Sequence, residues 1–233
     1  MDFLYFSRLR RPRRQQIAAG TEQAATARVV EAAWRGAGDP AMETRRGAGD
    51  PASQTMTTAE YFNTPETMLP RELAYGELRV ADAPRVPHQR IVGKLYLALT
   101  RFVEERQSGE VLLSPTDVIL DYAAALVVQP DLLVVSPEHA TRVTDRVYGA
   151  PDLVVEVLSP HPRIGKLEER VGWFARYGVR ECWLVSLHER RVVVLTFVAG
   201  VLGERRSYAA GDTILSSVIP DFVIPPGLFP GYE

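Results

Sequence analysis

The chain has a single cysteine, Cys182, so no intramolecular disulfide is available and a reducing, cytoplasmic setting is the expectation. Lysine is almost as scarce: Lys94 and Lys166 are the only two, and arginine supplies every other basic side chain. No apolar run approaches the roughly 20 residues of a membrane-spanning helix. Net charge is −2 and the pI about 6.1, which removes the global basic field of a non-specific nucleic-acid binder. A local basic cleft or a metal-loaded acidic site remains compatible with that balance. A secretory leader places its charges before its apolar stretch. Here Met1–Phe6 precede Arg8, Arg10, Arg11, Arg13 and Arg14, the reverse order. There is no Gly-x-Ser-x-Gly segment, no phosphate-cradling glycine loop and no Cys/His zinc spacing.

What is present is ordinary globular composition, 46% hydrophobic and 24% charged over 233 residues, enough for one sizeable core and a tail. Residues 1–55 differ from the rest in being rich in Ala, Arg and Gly. They carry a tandem duplication, Arg35-Gly-Ala-Gly-Asp-Pro-Ala41 and Arg46-Gly-Ala-Gly-Asp-Pro-Ala52. Two such units cannot build a solenoid, which needs at least three. Gln15–Trp34 has few helix breakers, yet the segment as a whole reads as a disordered extension, or in part as a start-site artefact. Met56-Thr-Thr-Ala-Glu-Tyr-Phe62 makes a natural domain opening, with Thr58 as the expected helix cap, and residues 56–233 read as one domain.

Within that domain Leu73–Val80 reads as a strand. His88–Arg106 reads as a helix, because Ile91, Leu95, Leu99 and Phe102 recur at three- and four-residue spacing, with Gly109 as its stop. Short strands are expected at 111–113, 117–120, 126–128 and 131–135, and a longer one at 152–158. A second helix is expected over Arg163–Tyr177, ended at Gly178, then a buried strand at Trp183–Val185 and a hairpin from Arg191–Val198 and Val201–Tyr208. The fold class is α/β, a mixed sheet with flanking helices.

Two acids interrupt the apolar strands. Asp131 opens Asp-Leu-Leu-Val-Val, and Glu156 sits inside Asp152-Leu-Val-Val-Glu-Val-Leu158. Period-two alternation places Asp152, Val154 and Glu156 on one face of their strand. A carboxylate on the inner face of a central strand is costly unless it is paired or bound to a cation. Asp131 and Glu156 together point to a divalent cation site, whereas Asp152 alone is explained by capping the turn after Pro151. Cys182, between Glu181 and Trp183, reads as a packing residue.

Three segments in order carry a family likeness: Pro130-Asp-Leu-Leu-Val-Val135, Gly149-Ala-Pro-Asp-Leu-Val-Val-Glu-Val-Leu-Ser-Pro160, and Tyr177-Gly-Val-Arg-Glu-Cys-Trp-Leu-Val185. Arg71-Glu72-Leu-Ala-Tyr-Gly-Glu-Leu78 and Pro87-His88-Gln-Arg-Ile91 extend it upstream. From about Met56 to about Phe229 the chain resembles the bacterial "putative restriction endonuclease" family of the PD-(D/E)XK superfamily. The resemblance implies a restriction-endonuclease-like fold and a Mg²⁺- or Mn²⁺-dependent endonuclease acting on DNA phosphodiesters. It implies Asp131 and Glu156 as catalytic metal ligands, Glu72 as an additional acid from the end of a first helix, and the Val157 carbonyl in the cation's shell. It places His88 and Gln129 near the cleft as substrate contacts. A homodimer that cuts both strands is compatible with it, although no interface is marked in the sequence.

One departure has chemical content. The superfamily lysine two residues after the acid is here Leu158, and in this family an Asp-three-residues-Lys pattern on the following helix supplies the lysine instead. Those two positions are Lys166 and Arg170. A buried lysine can lose its proton and activate water; arginine stays charged and can only position water or stabilise negative charge. Lys166, one turn before Arg170, is the other cation that could serve, and solvation on the helix's first turn explains it equally well. The alternative function is therefore a catalytically impaired relative, a nucleic-acid-binding or protein-interaction module. A purely structural role, with the acids paired to arginines, is the third.

Overall fold

A computed structural model describes residues 55–65, 67, 69–158 and 166–229. The extension at 1–54, including the helix expected at Gln15–Trp34, lies outside the described residues, as does Arg163, the expected start of the second helix. The elements in chain order are α1 (Thr58–Phe62), β1 (Arg71–Ala74), β2 (Glu77–Val80), α2 (Val86–Arg106), β3 (Glu110–Leu113), β4 (Val118–Asp121), β5 (Leu126–Val128) and β6 (Leu132–Val135). A 3₁₀ turn at Pro137–Arg142 follows, then β7 (Val147–Tyr148), β8 (Leu153–Leu158), α3 (Leu167–Tyr177), β9 (Glu181–Ser186), β10 (Arg191–Val198) and β11 (Val201–Tyr208). No helix among the described residues is long and apolar enough to cross a membrane.

The α/β class is as expected, but the strands form two mixed sheets rather than one. Their orders are β2-β1-β5-β4-β7 and β11-β10-β9-β8-β6-β3. β8 and β9 are parallel, joined through α3, while β6 runs antiparallel to β8. The larger sheet is buried on both faces, which is why β8 and β9 read as nearly continuous apolar runs. Leu133, Val154 and Cys182 on one face pack with Val171 and Phe174 of α3 and with Val118, Leu126 and Val128 of the smaller sheet. Leu132, Val155, Trp183 and Val185 on the other face pack with Ile91, Leu95 and Leu99 of α2 and with Ile219, Phe222 and Leu228 of the C-terminal segment. α1 covers part of the smaller sheet's outer face through Tyr61, against Leu73, Ile119 and Val127.

Local chemistry explains where boundaries moved. Leu73–Val80 is a hairpin, because Tyr75 and Gly76 both take positive φ and turn the chain. The α1 cap is Thr57, in a capping box with Glu60, while the Thr58 hydroxyl donates to the Tyr122 carbonyl. α2 ends at Gln107 in the left-handed conformation, two residues before Gly109. α3 starts at Leu167 and ends on Gly178 with φ 97°, the helix stop the sequence marks.

Candidate active site

β5 belongs to the smaller sheet and β6 to the larger, so Gln129-Pro130-Asp131 is the crossing between them. β6 pairs with β8 in the register Leu132↔Val155 and Leu133↔Val154. One step further along that register sets Asp131 opposite Glu156, and directly opposed residues share a face. Asp131 Oδ2 accepts the Val157 amide at 2.7 Å and lies 3.2 Å from His88 Nε2. The two acids are thus neighbours on adjacent strands, on the face that α3 covers.

Arg170 projects from α3 and bridges Glu156 and Glu72. Its Nη2 and Nε donate to Glu156 Oε1 at 2.6 and 3.2 Å, and its Nη1 donates to Glu72 Oε2. Glu72 lies within β1 rather than at a helix end, with its side chain 2% exposed. Its other oxygen, Oε1, accepts the Gln129 amide at 2.6 Å. Both Glu72 oxygens are therefore engaged. Asp131 Oδ1 and Glu156 Oε2 are the carboxylate oxygens not engaged by any described residue.

The electrostatics show surplus negative charge. Burial pushes the Glu156 carboxyl up to about 7; Arg170 opposes that, but the charges of Asp131 and Glu72 reinforce it. Burial pulls the Arg170 guanidinium down, yet Glu156 and Glu72 outweigh it and lift its pKa further, so it is a permanent cation. Burial lowers His88, but its hydrogen bond to Asp131 and the charges of Asp131 and Glu156 raise it above its ordinary value. His88 Nδ1 is buried with no partner among the described residues. Lys166 is the exposed N-cap of α3 and makes no side-chain cap bond.

Hard oxygen donors on neighbouring strands, with more negative charge than one guanidinium neutralises, suit a hard divalent cation. Among the described residues no three His, Cys, Asp or Glu side chains stand together as a cage, and Glu72 is instead bonded to Arg170. The fit is to an ion that takes two carboxylates and retains several waters, as Mg²⁺ does.

Gln129 is placed differently from a substrate contact. Its Nε2 donates to Asp117 Oδ1 at 2.9 Å and its Oε1 accepts the Arg71 amide at 3.3 Å, so both ends of its amide are used inside the fold. Asp117 joins the same network through Tyr61 and was not marked by the sequence, where it reads as the first residue of a short strand. Its pairing with Tyr61, 56 residues away, leaves no local pattern to find. At the far end of β8, Asp152 accepts the Ser136 amide at 2.8 Å and lies 2.9 Å from His139 Nδ1, a local anchoring role.

The family described as "Uma2: Putative restriction endonuclease" matches residues 58–227. No curated protein matches the chain. A solved structure described as a "putative nuclease belonging to DUF820 from Anabaena variabilis ATCC 29413" superposes with a TM-score of 0.59 at 19% identity, covering 70% of this chain and 91% of that one. That likeness shows the fold.

Proposed function

The chain belongs to the Uma2 restriction-endonuclease family, and on that premise we propose that it is a divalent-metal-dependent nuclease that hydrolyses DNA phosphodiesters. One observation carries the reading. Asp131 and Glu156 are adjacent on a largely buried face, each with an oxygen that no described residue engages, and Glu156 is lifted to about 7 beside a permanent cation. Asp131 Oδ1, Glu156 Oε2 and the Val157 carbonyl would hold Mg²⁺ or Mn²⁺. Such an ion supplies an activated water and charge neutralisation at the phosphate.

The protein's own groups prepare the rest. His88 would hold a proton on Nε2 against Asp131 Oδ2, which fixes that carboxylate through one oxygen and leaves Oδ1 for the ion. Arg170 holds Glu156 through Oε1; it cannot accept a proton, and its role is to orient the acid and support negative charge. Glu72 serves by fixing Arg170 rather than as a ligand. Lys166, exposed one turn before Arg170 on α3, would be the second cation able to approach a phosphate or its attacking water.

The test is nicking of supercoiled DNA by the full chain with Mg²⁺, with Mn²⁺ and with a chelator. The wild type should nick only with metal, and Asp131→Asn should lose about 10³-fold, roughly 4 kcal/mol, with an unchanged circular dichroism spectrum. Equal rates in the two proteins would reject the assignment. The Arg170 bridge also supports a second reading, a fold retained for binding with its chemistry impaired. Cleavage that appears only in Lys166→Asp with Arg170→Lys would select that reading.

A further inference from the structure

A polar network lies behind the acids and on the smaller sheet. The hydroxyl of Tyr61, fully buried, lies 3.0 Å from both the Arg71 carbonyl and Asp117 Oδ1, its one proton shared between the two acceptors. Asp117 Oδ1 also accepts Gln129 Nε2, and Gln129 Oε1 accepts the Arg71 amide. Both backbone groups of Arg71 are thereby held, one residue before Glu72. The Gln129 backbone amide, at the crossing between sheets, is the donor to Glu72 Oε1. Glu72 in turn holds Arg170, and Arg170 holds Glu156.

We propose that Asp117 is a positioning residue of the site, acting through Gln129 to set Glu72 and therefore the Arg170 guanidinium. The inference deepens the nuclease reading and rests on it for its functional consequence. Asp117 is suited to the part because its carboxylate collects a phenol and a primary amide from two separate elements, α1 and the sheet crossing. It is also only 19% exposed, so water competes little for those bonds. Burial, together with the charge of Asp117, pushes the Tyr61 hydroxyl upward, so the phenol stays a donor. A fault at Asp117 loosens both strands that deliver Glu72 and Asp131, although Asp117 touches neither acid.

The experiment compares Asp117→Ala with Asp117→Asn, since asparagine keeps an oxygen that accepts from Gln129 and Tyr61. In metal-free protein, nitrogen-15 spectra report the Gln129 amide and the Arg170 Nε–H. Alanine should speed exchange of the Gln129 amide about tenfold and move the Arg170 resonance, with asparagine restoring both. In the nicking assay alanine should lower kcat about tenfold at nearly constant KM, with asparagine again close to wild type. Unchanged spectra in Asp117→Ala overturn the proposal, and so does an unchanged kcat when the wild type cleaves. A wild type that never cleaves counts against the nuclease reading, while the spectra still decide whether Asp117 sets Arg170.

Discussion

Two acids bracket most of β8, Asp152 just before its first residue and Glu156 within it, four residues and roughly 13 Å apart, and the fold treats them oppositely. Asp152, 1% exposed, accepts the Ser136 amide and faces His139 and Arg180. Burial acts to raise its pKa, but the hydrogen bonds from Ser136 and His139 win and hold it below the ordinary carboxylate value. Glu156 has Arg170, yet it shares that cation with Glu72 and faces Asp131, so burial wins and its carboxyl rises to about 7. Both side chains are largely shielded from solvent, at 1% and 13% exposure, and they differ in charge balance. The satisfied end belongs to the scaffold. The unsatisfied end is where a ligand could complete the balance, which is the physical mark of a functional site.

The comparison breaks most severely at Arg170. Arg170→Leu leaves Glu72 and Glu156 facing each other without their cation, and should cost about 3–5 kcal/mol by urea denaturation in chelator. Because the lost charge is cationic, Mn²⁺ should raise the melting temperature of the variant more than that of the wild type. An equal shift would mean that the ion does not bind among these acids.

The pH dependence separates the two ends next. Glu156 has a folded pKa above its unfolded one, so its stabilisation is fully present below about 4.5 and is lost as pH rises through about 7. His88, also raised, acts in the same direction. Metal-free wild type should therefore lose on the order of 3 kcal/mol between pH 5 and pH 8. Glu156→Gln, which mimics the protonated form, should flatten most of that slope and be the more stable protein at pH 8. Asp152 runs the other way. Its contribution is present above the unfolded value near 3.8 and is lost as pH falls through the lowered folded pKa. Asp152→Asn should cost about 2 kcal/mol at pH 7 and leave nicking per folded molecule unchanged. Isosteric amides at the two ends should thus move stability in opposite directions at pH 8.

This contrast was only half legible in the sequence. The apolar run Leu153–Leu158 announced a buried strand, and period two put both acids on one face. The helix of Ile91, Leu95 and Leu99 and the stop at Gly178 were equally local signals, and they survive in the structure. What decides the fate of each acid is not local. Arg170 reaches Glu72 across 98 residues, and His88 reaches Asp131 across 43. The sequence set Arg170 against the family's lysine position, but not that its guanidinium would bridge two acids. The division into two sheets was hidden for a related reason. Gln129-Pro130-Asp131 separates β5 from β6 by only three residues, a spacing that fits a single sheet as well as a crossing between two.

Lys166 gives the smallest effect and the finest distinction. It caps α3 with no side-chain hydrogen bond and places a cation at the positive end of the helix dipole, a poor choice for stability. Lys166→Ser should therefore stabilise the fold by about 0.5–1 kcal/mol, because serine accepts a first-turn amide and removes the unfavourable charge. A surface lysine with no task would show that gain and nothing else. If Lys166 steers phosphate or water at the Glu156 end, the same variant should lose about tenfold in single-turnover cleavage while it gains stability. Chemical denaturation and cleavage measured on one preparation would show the two moving in opposite directions, the trade expected where a residue is kept for chemistry against the preference of its helix.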